Sequence, residues 1–242
     1  MSLEQQKSVS IILPATDEVR SLAKTVEQIK KLLPNWTLQL IVVTHPQLTS
    51  PECIEAIHEL QKKFQGVETF MQQKPGIGGA MQDAFERCTK QYTAIMSSDL
   101  ETDPATLPAL LMALERGADV VATTRWRSGA RFKGYNPVKL VLNFLFQQFF
   151  RTLFWTSLTD LTFGYRVYRT EIVKRIYWKE LRFPFFFEAI LKPLRLGYKV
   201  AEVETPWIAR KEGVSHNSLG ETIDYVRVGF KIRFLPKRKM IA

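Results

Sequence analysis

The stretch VSIILPATDE, residues 9–18, decides the fold expected for this chain. Its first five residues are almost all apolar and include the β-branched residues typical of a short buried strand. Pro14 follows that strand, and Glu18 precedes a run of apolar residues at helical spacing. The run consists of Leu22, Val26, Ile29 and Leu33. A strand, a loop and a helix in this order form the first unit of an α/β fold.

The same alternation continues along the chain. Further strands are predicted at 38–43, 67–71, 92–96, 119–124 and 199–203, helices at 51–64, 80–88, 104–115 and 184–194, and a strand or turn at 160–168. Alternating strands and helices predict a mostly parallel central sheet flanked by helices. Because 242 residues with 45% apolar content can bury one core, we expect residues 1–242 to form a single domain.

Polar segments follow several of these strands, at the edge where parallel sheets bind ligands. The segment Lys74-Pro75-Gly76-Ile77-Gly78-Gly79 follows the third strand. Its glycines are expected to let the backbone approach a ligand, and the helix after it to offer N–H groups to an anion. Asp99 and Glu101 follow the fourth strand, and Arg125 follows the fifth. This edge is therefore the predicted ligand site.

The formal net charge of +10 calls for an anionic partner or surface. Nucleic acid, anionic lipid and a polyanionic substrate are the candidates. The basic residues lie beside apolar segments and no nucleic-acid-binding motif is present, so we expect a membrane surface and no nucleic acid. Cys53 and Cys88 lack metal-ligand spacing, and no secretory signal is indicated. These features predict a cytoplasmic protein, peripheral at the cytoplasmic face of a membrane.

Two amphipathic segments, at about 139–158 and 221–242, are the predicted membrane-facing parts. The first is rich in Phe and Leu but too polar for a transmembrane helix, and it suits a helix lying in a lipid interface. A core-facing helix is the alternative. The second ends in Lys237-Arg238-Lys239, which suits an anionic leaflet. Docking on a partner protein that carries the membrane anchor is the alternative there.

Six motifs, spread from Ile12 to about Arg233, together resemble those of family 2 glycosyltransferases of the GT-A fold. Within that family the resemblance is to the dolichyl-phosphate mannosyltransferase or polyprenyl-phosphate glycosyltransferase branch. The motifs are Leu13-Pro14-Ala15-Thr16-Asp17-Glu18, the glycine segment 74–79, the metal loop 96–103, Thr124-Arg125-Trp126, Asp160-Leu161-Thr162-Phe163-Gly164-Tyr165-Arg166 and Arg210-Lys211-Glu212-Gly213-Val214-Ser215.

This resemblance implies an inverting glycosyltransferase that uses a nucleotide-diphospho-sugar, GDP-mannose or a UDP-hexose, and Mg²⁺ or Mn²⁺. It implies a set of site residues. Donor binding falls to Pro14, Ala15, Glu18, Thr44, Lys74, Gly78 and Ser98; catalysis to Asp99, Arg125 and Arg166; metal binding to Asp99 and Glu101; and acceptor phosphate binding to Arg166, Arg210, Lys211 and Ser215.

The acceptor is predicted from an absent motif. A hydroxyl acceptor needs a general base. Relatives that use one carry an acidic pair before a Gln-x-x-Arg-Trp motif, which this chain lacks. A polyprenyl phosphate is already an anion and attacks without proton removal, so it is the predicted acceptor. Glu188, in a Phe-rich helix, is the alternative: it could serve as a base for a hydroxyl.

Two departures from the family pattern leave a second hypothesis open. Thr44-His45-Pro46-Gln47 stands where the family has two aspartates, Gly and Ser, and Ser97 replaces the first aspartate of Asp-x-Asp. The alternative is a catalytically weak homologue that binds nucleotide or lipid phosphate in a regulatory role. A nucleotidyltransferase is disfavoured, because the loop after the first strand lacks the Gly-x-Gly-Thr-Arg pattern of that class.

Overall fold

A computed structural model describes residues 6–127, 137–206 and 220–242 of the chain. Within these ranges one seven-stranded sheet has the order β3-β2-β1-β4-β6-β5-β7. The strands are β1 (Ser8–Ala15), β2 (Thr37–Thr44), β3 (Val67–Met71), β4 (Tyr92–Ile95), β5 (Val120–Thr124), β6 (Arg166–Arg169) and β7 (Val200–Glu204). All neighbours pair in parallel except β6, which is antiparallel to β4 and β5. The prediction of a mostly parallel sheet is confirmed.

Helices cover both faces of this sheet. They are α1 (Arg20–Leu32), α2 (Pro51–Lys63), α3 (Gly76–Arg87), α4 (Leu107–Glu115), α5 (Pro137–Phe154), α6 (Thr170–Arg175), α7 (Pro184–Leu196) and α8 (Gly220–Phe234). Side chains of a strand alternate between faces. Ile11 and Leu13 of β1 accordingly pack in the core with α1, α2 and α4, whereas Ile12 packs in the core with α3 and α5–α8. The α/β prediction is therefore confirmed in its layers as well as its strands.

Two helix ends show the local chemistry that sets element boundaries. Ser50 caps α2 by accepting a hydrogen bond from the Cys53 N–H at 3.2 Å, and Pro51 occupies the first helical position, where its missing N–H costs nothing. Gly197 ends α7 with φ of 91°, a left-handed conformation that glycine adopts without strain.

Three predicted boundaries are corrected. Helix α3 begins at Gly76 rather than at Ala80, so the glycines lie in its first turn. The segment 160–168, predicted as strand or turn, becomes a strand only from Arg166, and that strand continues to Arg169. The C-terminal amphipathic segment is broken, because α8 ends at Phe234 and the chain then turns back so that Met240 is buried. Short-range periodicity could not reveal that Met240 belongs to the core.

Helix α5 combines the two alternatives considered for it. Gln147 and Phe150 are each 1% exposed and face the core. The helix also carries exposed apolar residues, namely Val141, Leu142, Phe144, Leu145 and Phe149. Across the described ranges, no helix combines the length and the apolar character needed to cross a bilayer.

Phe150 is the centre of the aromatic core that joins α5, α7 and α8. Its ring centroid lies 4.7 Å from that of Phe146 and 4.9 Å from that of Phe187. Gly229 of α8 is in contact with the same ring, and a Cβ at this position would overlap it. The missing side chain of Gly229 is therefore what lets α8 pack closely on α5.

Gly229→Ala is expected to lower the free energy of unfolding by about 1–3 kcal/mol through overpacking. In an unobstructed helix the same substitution would instead stabilise the protein by about 1 kcal/mol, so the sign of the change is diagnostic. Urea denaturation monitored by circular dichroism measures it. Phe150→Leu in the Gly229→Ala background provides the control, because a smaller side chain makes room for the new methyl group. An unchanged or higher stability for Gly229→Ala would contradict this packing.

Candidate functional site

The candidate site lies where the loops after β1 and β4 leave the sheet. Strands β1 and β4 pair in parallel with Ile12 opposite Ile95, so both loops start at the same edge. Ser98 of the loop after β4 donates a hydrogen bond through its hydroxyl to the carbonyl of Pro14 at the end of β1. Two segments predicted to bind the donor are therefore in direct contact.

The Glu18 carboxylate shapes the loop after β1. Its Oε2 accepts hydrogen bonds from the N–H groups of Thr16 at 2.7 Å and Asp17 at 3.0 Å, and the residue is only 8% exposed. Hydrogen bonds to a carboxylate are stronger than those between neutral groups. Glu18 thus holds the loop backbone in one conformation. A contact between Glu18 and a nucleotide stays a prediction.

The loop after β4 is closed by side chains on either side of Asp99. The Ser97 and Thr102 hydroxyl oxygens lie 3.0 Å apart, and the Ser97 N–H donates to Thr102 at 3.2 Å. Asp99 is 4% exposed, and its Oδ1 accepts the Glu101 N–H at 2.9 Å. Leu100 between the two acids has a positive φ of 63°, which is uncommon for a bulky residue. The turn therefore holds Asp99 and Glu101 in a constrained arrangement.

The acids of this loop suit a divalent cation bound mainly by its substrate. In the described part of the chain, no group of three or more His, Cys, Asp or Glu residues is placed to hold a metal ion. Mg²⁺ commonly takes only one or two protein carboxylates, with substrate phosphates and water as its other ligands. Asp99 and Glu101 fit that pattern. They do not fit a metal centre built from protein ligands alone.

The loop after β2 contains the residues that depart from the family pattern. The Thr44 hydroxyl donates to the Phe70 carbonyl at 3.1 Å. The His45 Nδ1 atom accepts the N–H groups of Gln47 and Leu48, each at 3.1 Å, and so closes a turn. These contacts assign Thr44 and His45 a structural role, and contacts between either residue and the donor remain predictions.

The N–H groups of Gly78 and Gly79 are bonded within the protein and are not offered to an anion, contrary to the prediction for Gly78. The Leu181 carbonyl accepts the N–H groups of Gly78 at 2.8 Å and Gly79 at 3.2 Å. A Cβ at Gly78 would lie 2.7 Å from the Cβ of Phe185. Glycine is needed here because the backbone before α7 packs directly on the first turn of α3. Sequence alone does not distinguish this close approach from that of a ligand.

Lys74, which precedes that turn, is paired with acids of α3. Its Nζ lies 3.5 Å from an oxygen of Asp83 and 3.3 Å from one of Glu86, and its side chain is 41% exposed. Exposed ion pairs of this kind contribute little and exchange readily. The predicted contact between Lys74 and a donor phosphate stays a prediction.

Arg125 forms a bidentate ion pair with Asp160. The Nε–Oδ2 distance is 2.7 Å, the Nη2–Oδ1 distance is 3.1 Å, and Asp160 is fully buried. The guanidinium also lies over the Phe163 ring, with its Cζ 4.4 Å from the ring centroid. Burial alone would raise the pKa of Asp160, but the charge and hydrogen bonds of Arg125 outweigh it and hold that pKa below its ordinary value.

Arg166 is placed in the core, which corrects its predicted contact with the acceptor phosphate. It is 0% exposed, and its guanidinium donates to the carbonyls of Leu161 and Phe186. A group enclosed in this way does not reach a ligand. Arg166 instead supports the loop that carries Asp160, through Leu161. Arg210, Lys211 and Ser215 lie outside the described residues, so their predicted phosphate contacts stay predictions.

Glu188, the alternative base, is buried and bonded to other residues of the fold. Its carboxylate accepts the N–H groups of Lys179 and Glu180 and pairs with Lys192 at 2.6 Å, and its side chain is 2% exposed. A buried carboxylate with a charged partner and two N–H donors has no free access to a substrate hydroxyl. The contacts argue against Glu188 as a general base.

Two residues that support the site were missed as site residues in the sequence. Asp160 was present only as part of a motif, although an acid two residues before a threonine in a loop is a common local hydrogen-bond acceptor. Gln147 accepts the Leu161 N–H at 2.9 Å from inside α5. The signal for Gln147 was a polar residue within an aromatic run, which was attributed to a lipid-facing helix.

Comparison with known proteins relates this geometry to a family. The family model described as Glycosyl transferase family 2 matches residues 10–177. An undecaprenyl-phosphate mannosyltransferase of Micrococcus luteus is 25% identical over 224 residues, which cover 88% of each chain. A dolichol-phosphate mannosyltransferase of Pyrococcus furiosus is 23% identical, with 90% of this chain and 62% of that protein covered.

A solved structure with a similar fold is glucosyl-3-phosphoglycerate synthase from Mycobacterium tuberculosis, in complex with Mn²⁺, UDP and phosphoglyceric acid. The TM-score is 0.71 at 16% identity, and the match covers 95% of this chain and 80% of that one. At this identity the likeness shows the fold alone, and the fold is that of GT-A nucleotide-sugar transferases.

Asp160→Asn is expected to lower the free energy of unfolding at neutral pH by about 3 kcal/mol, because a buried ion pair loses one charge. Since the folded-state pKa of Asp160 is depressed, its stabilisation is present above the unfolded value of about 3.9 and is lost as pH falls through the folded value. The stability difference between wild type and variant should therefore shrink in acid. Urea denaturation from pH 7 to pH 3 measures it, with the exposed Asp17→Asn as control. A difference that does not change with pH would contradict this account of the pair.

Proposed function

The chain belongs to glycosyl transferase family 2, and from that premise we propose that it transfers a hexose from a nucleotide-diphospho-sugar to a polyprenyl phosphate. Mannose is the sugar we put first, because three relatives are named undecaprenyl-phosphate mannosyltransferase, polyprenol monophosphomannose synthase and dolichol-phosphate mannosyltransferase. GDP-mannose is accordingly the first donor to test, followed by UDP-hexoses.

The observation that carries the proposal is the contact between the loop after β4 and the end of β1, where the loop of Glu18 begins. Ser98 binds Pro14, so Asp99 lies beside the loop that Glu18 holds in shape. A loop for the nucleotide and an acid for a phosphate-bound cation are thereby side by side at the ligand-binding edge of the sheet. We propose that Pro14, Ala15 and Glu18 line the donor site.

The proposed reaction needs no proton transfer. A phosphate oxygen of the lipid attacks the anomeric carbon in line, the bond from that carbon to the diphosphate oxygen breaks, and nucleoside diphosphate leaves with the bonding electrons. The anomeric centre is inverted. Because the acceptor is already an anion, the commitment of Glu188 to Lys192 does not hinder this route.

Charge on the departing diphosphate must be stabilised. We propose that Asp99 and Glu101 would hold Mg²⁺ or Mn²⁺, which when bound neutralises phosphate charge. Arg125 is the proposed cationic side chain near the same phosphates. Its bidentate pairing with Asp160 fixes the plane of the guanidinium before substrate arrives, which reduces the reorganisation needed during transfer.

A second candidate function, nucleotide or lipid-phosphate binding with little turnover, is favoured by one observation. Ser97, Thr44 and His45 stand at positions where the family has acids, and all three make hydrogen bonds within the fold: Ser97 and His45 close turns, and Thr44 donates to β3. This candidate predicts binding of the donor without product. Measurements of binding and turnover on the same sample separate the two functions.

Asp99→Asn is expected to weaken the metal-dependent binding of GDP-mannose by about tenfold or more, because the carboxylate charge is lost. Asparagine retains an oxygen that can accept the Glu101 N–H, so the loop should keep its shape. Thermal shift and calorimetric titration with GDP-mannose, UDP-glucose and UDP-N-acetylglucosamine, each with and without Mg²⁺ or Mn²⁺, measure the effect. Asp103→Asn, in the same loop, is the matched control. Wild-type affinity in Asp99→Asn would remove Asp99 from the metal site.

We further propose that the exposed apolar side chains of α5 and α8 form a membrane-facing surface, defined by Val141, Leu142, Leu145, Phe149, Ile223, Val226, Phe230 and Phe234. The ring centroids of Phe149 and Phe230 lie 5.8 Å apart, which makes the surface continuous between the helices. Exposed basic residues Lys237, Arg238 and Lys239 follow α8. Apolar area bordered by positive charge suits an anionic lipid surface. Attachment at the cytoplasmic face stays part of this proposal.

Leu142→Glu combined with Phe230→Glu is expected to reduce binding to vesicles of phosphatidylglycerol and phosphatidylcholine by about tenfold or more, because two apolar contacts are replaced by charges that the anionic surface repels. Met112→Glu is the matched control, since Met112 is exposed on α4, on the opposite face of the sheet. Co-sedimentation at low and high salt measures binding. Equal binding of the double variant and wild type would contradict this surface.

A further inference from the structure

Glu202 occupies a central position on β7 that neither the motifs nor the proposed reaction explains. Its strand pairs with β5, and Glu202 lies opposite Ala122. Its side chain is only 4% exposed. A carboxylate enclosed to this extent needs compensating partners.

Those partners are Thr159, Asp160 and Arg127, and Asp160 is the acid that pairs with Arg125. The Oε1 atom of Glu202 accepts the N–H groups of Thr159 at 2.7 Å and Asp160 at 3.0 Å. Its Oε2 atom accepts the Thr159 hydroxyl at 2.8 Å and lies 3.4 Å from the Nε of Arg127. One carboxylate therefore binds the backbone of Asp160, while the side chain of Asp160 binds Arg125.

A chain of hydroxyl groups extends this contact to the loop after β5. An ionised carboxylate only accepts hydrogen bonds, so the Thr159 hydroxyl donates its single proton to Glu202. The Thr124 hydroxyl, 2.6 Å from that of Thr159, must then donate to Thr159. Its oxygen is left to accept the Trp126 N–H at 3.0 Å. The carboxylate of Glu202 thus sets the direction of the two hydroxyl bonds, from Thr159 to Glu202 and from Thr124 to Thr159, whereas the Trp126 N–H can only donate.

We infer that Glu202 is a positioning residue for transfer. From β7, the edge strand of the sheet, it fixes the position of the Asp160–Arg125 pair and of residues 124–126. The expected effect of Glu202 on turnover rests on the proposed function. Its structural part, the coupling of Glu202 to Asp160, is independent of any substrate.

Glutamine at this position tests the charge while keeping the shape. Its oxygen can still accept the N–H groups of Thr159 and Asp160, but its amide nitrogen would face the Thr159 hydroxyl and Arg127 as a donor. The Thr159 hydroxyl must then donate to Thr124, so the bond between these two hydroxyls reverses and the Thr124 proton loses its acceptor. Arg127 loses its anionic partner as well.

The first arm needs no substrate. Unfolding equilibria are measured for wild type, Glu202→Gln, Asp160→Asn and the double variant. We expect the effect of Asp160→Asn on the unfolding equilibrium constant to be smaller in the Glu202→Gln background by about fivefold or more, as found for residues of one hydrogen-bond network. Additive effects would overturn the inference, whether or not the protein is a transferase.

The second arm measures turnover of GDP-mannose, and of UDP-glucose if that is the donor bound, with polyprenyl phosphate as acceptor. We expect Glu202→Gln to lower kcat by about tenfold or more while the donor KM changes by less than about threefold, since the lost interaction matters in the transition state. Glu55→Gln, the same change on an exposed position of α2, should match wild type. A kcat near the wild-type value in Glu202→Gln would overturn the positioning role.

Two other results of these experiments, an inactive wild type and an unfolded Glu202→Gln variant, each have a defined consequence. If wild type turns over no donor with any acceptor, the proposed function fails, and the unfolding cycle alone decides whether Glu202 holds the pair. If Glu202→Gln does not fold, Thr159→Val replaces it in both arms, because it removes the hydroxyl link and leaves the carboxylate and the backbone bonds in place. Unaltered kcat and additive stability in Thr159→Val would equally overturn the inference.

Discussion

Parallel pairing of β1 with β4 is the constraint on which the site depends. With Ile12 opposite Ile95, β4 ends beside the last part of β1, and the segments that follow both strands leave the sheet at the same edge. The hydrogen bond from Ser98 to Pro14 and the contacts of Glu18 then require only short loops. A shift in this register would separate Asp99 from the loop held by Glu18, whatever the identity of the individual side chains.

The antiparallel strand β6 has the complementary effect. Because it runs against β4 and β5, its first residue, Arg166, lies opposite Ile95 at the end of β4 and opposite Ala122 near the end of β5. The loop before β6 therefore arrives at the ligand-binding edge from the other direction. This is how Asp160 reaches Arg125, and how Arg166, although buried, supports the same loop from below.

The two faces of the sheet have different tasks. Helices α1, α2 and α4 pack on one face around an ordinary aliphatic core. The other face carries the aromatic core of α5, α7 and α8, and the outer sides of α5 and α8 remain apolar and exposed. Glu188 accepts a hydrogen bond from the Glu180 N–H and so holds the backbone before α7. In that backbone, the Leu181 carbonyl accepts hydrogen bonds from the first turn of α3. The glycine segment is thus packed in the same layer as the proposed membrane surface.

The sequence by itself determined the order of strands and helices, the α/β class and the loops that carry the site, because each depends on periodicity among neighbouring residues. Motif order was enough to indicate family 2 and to select Asp99 and Arg125 as candidates. Tertiary structure alone decided which polar groups are already hydrogen-bonded within the protein and so are not free to bind a ligand. The N–H of Gly78 is bound by Leu181, and the carboxylate of Glu202 is enclosed by Thr159 and Asp160. These partners are distant in the chain and meet only when the sheet and its loops are packed, so no local pattern could reveal them.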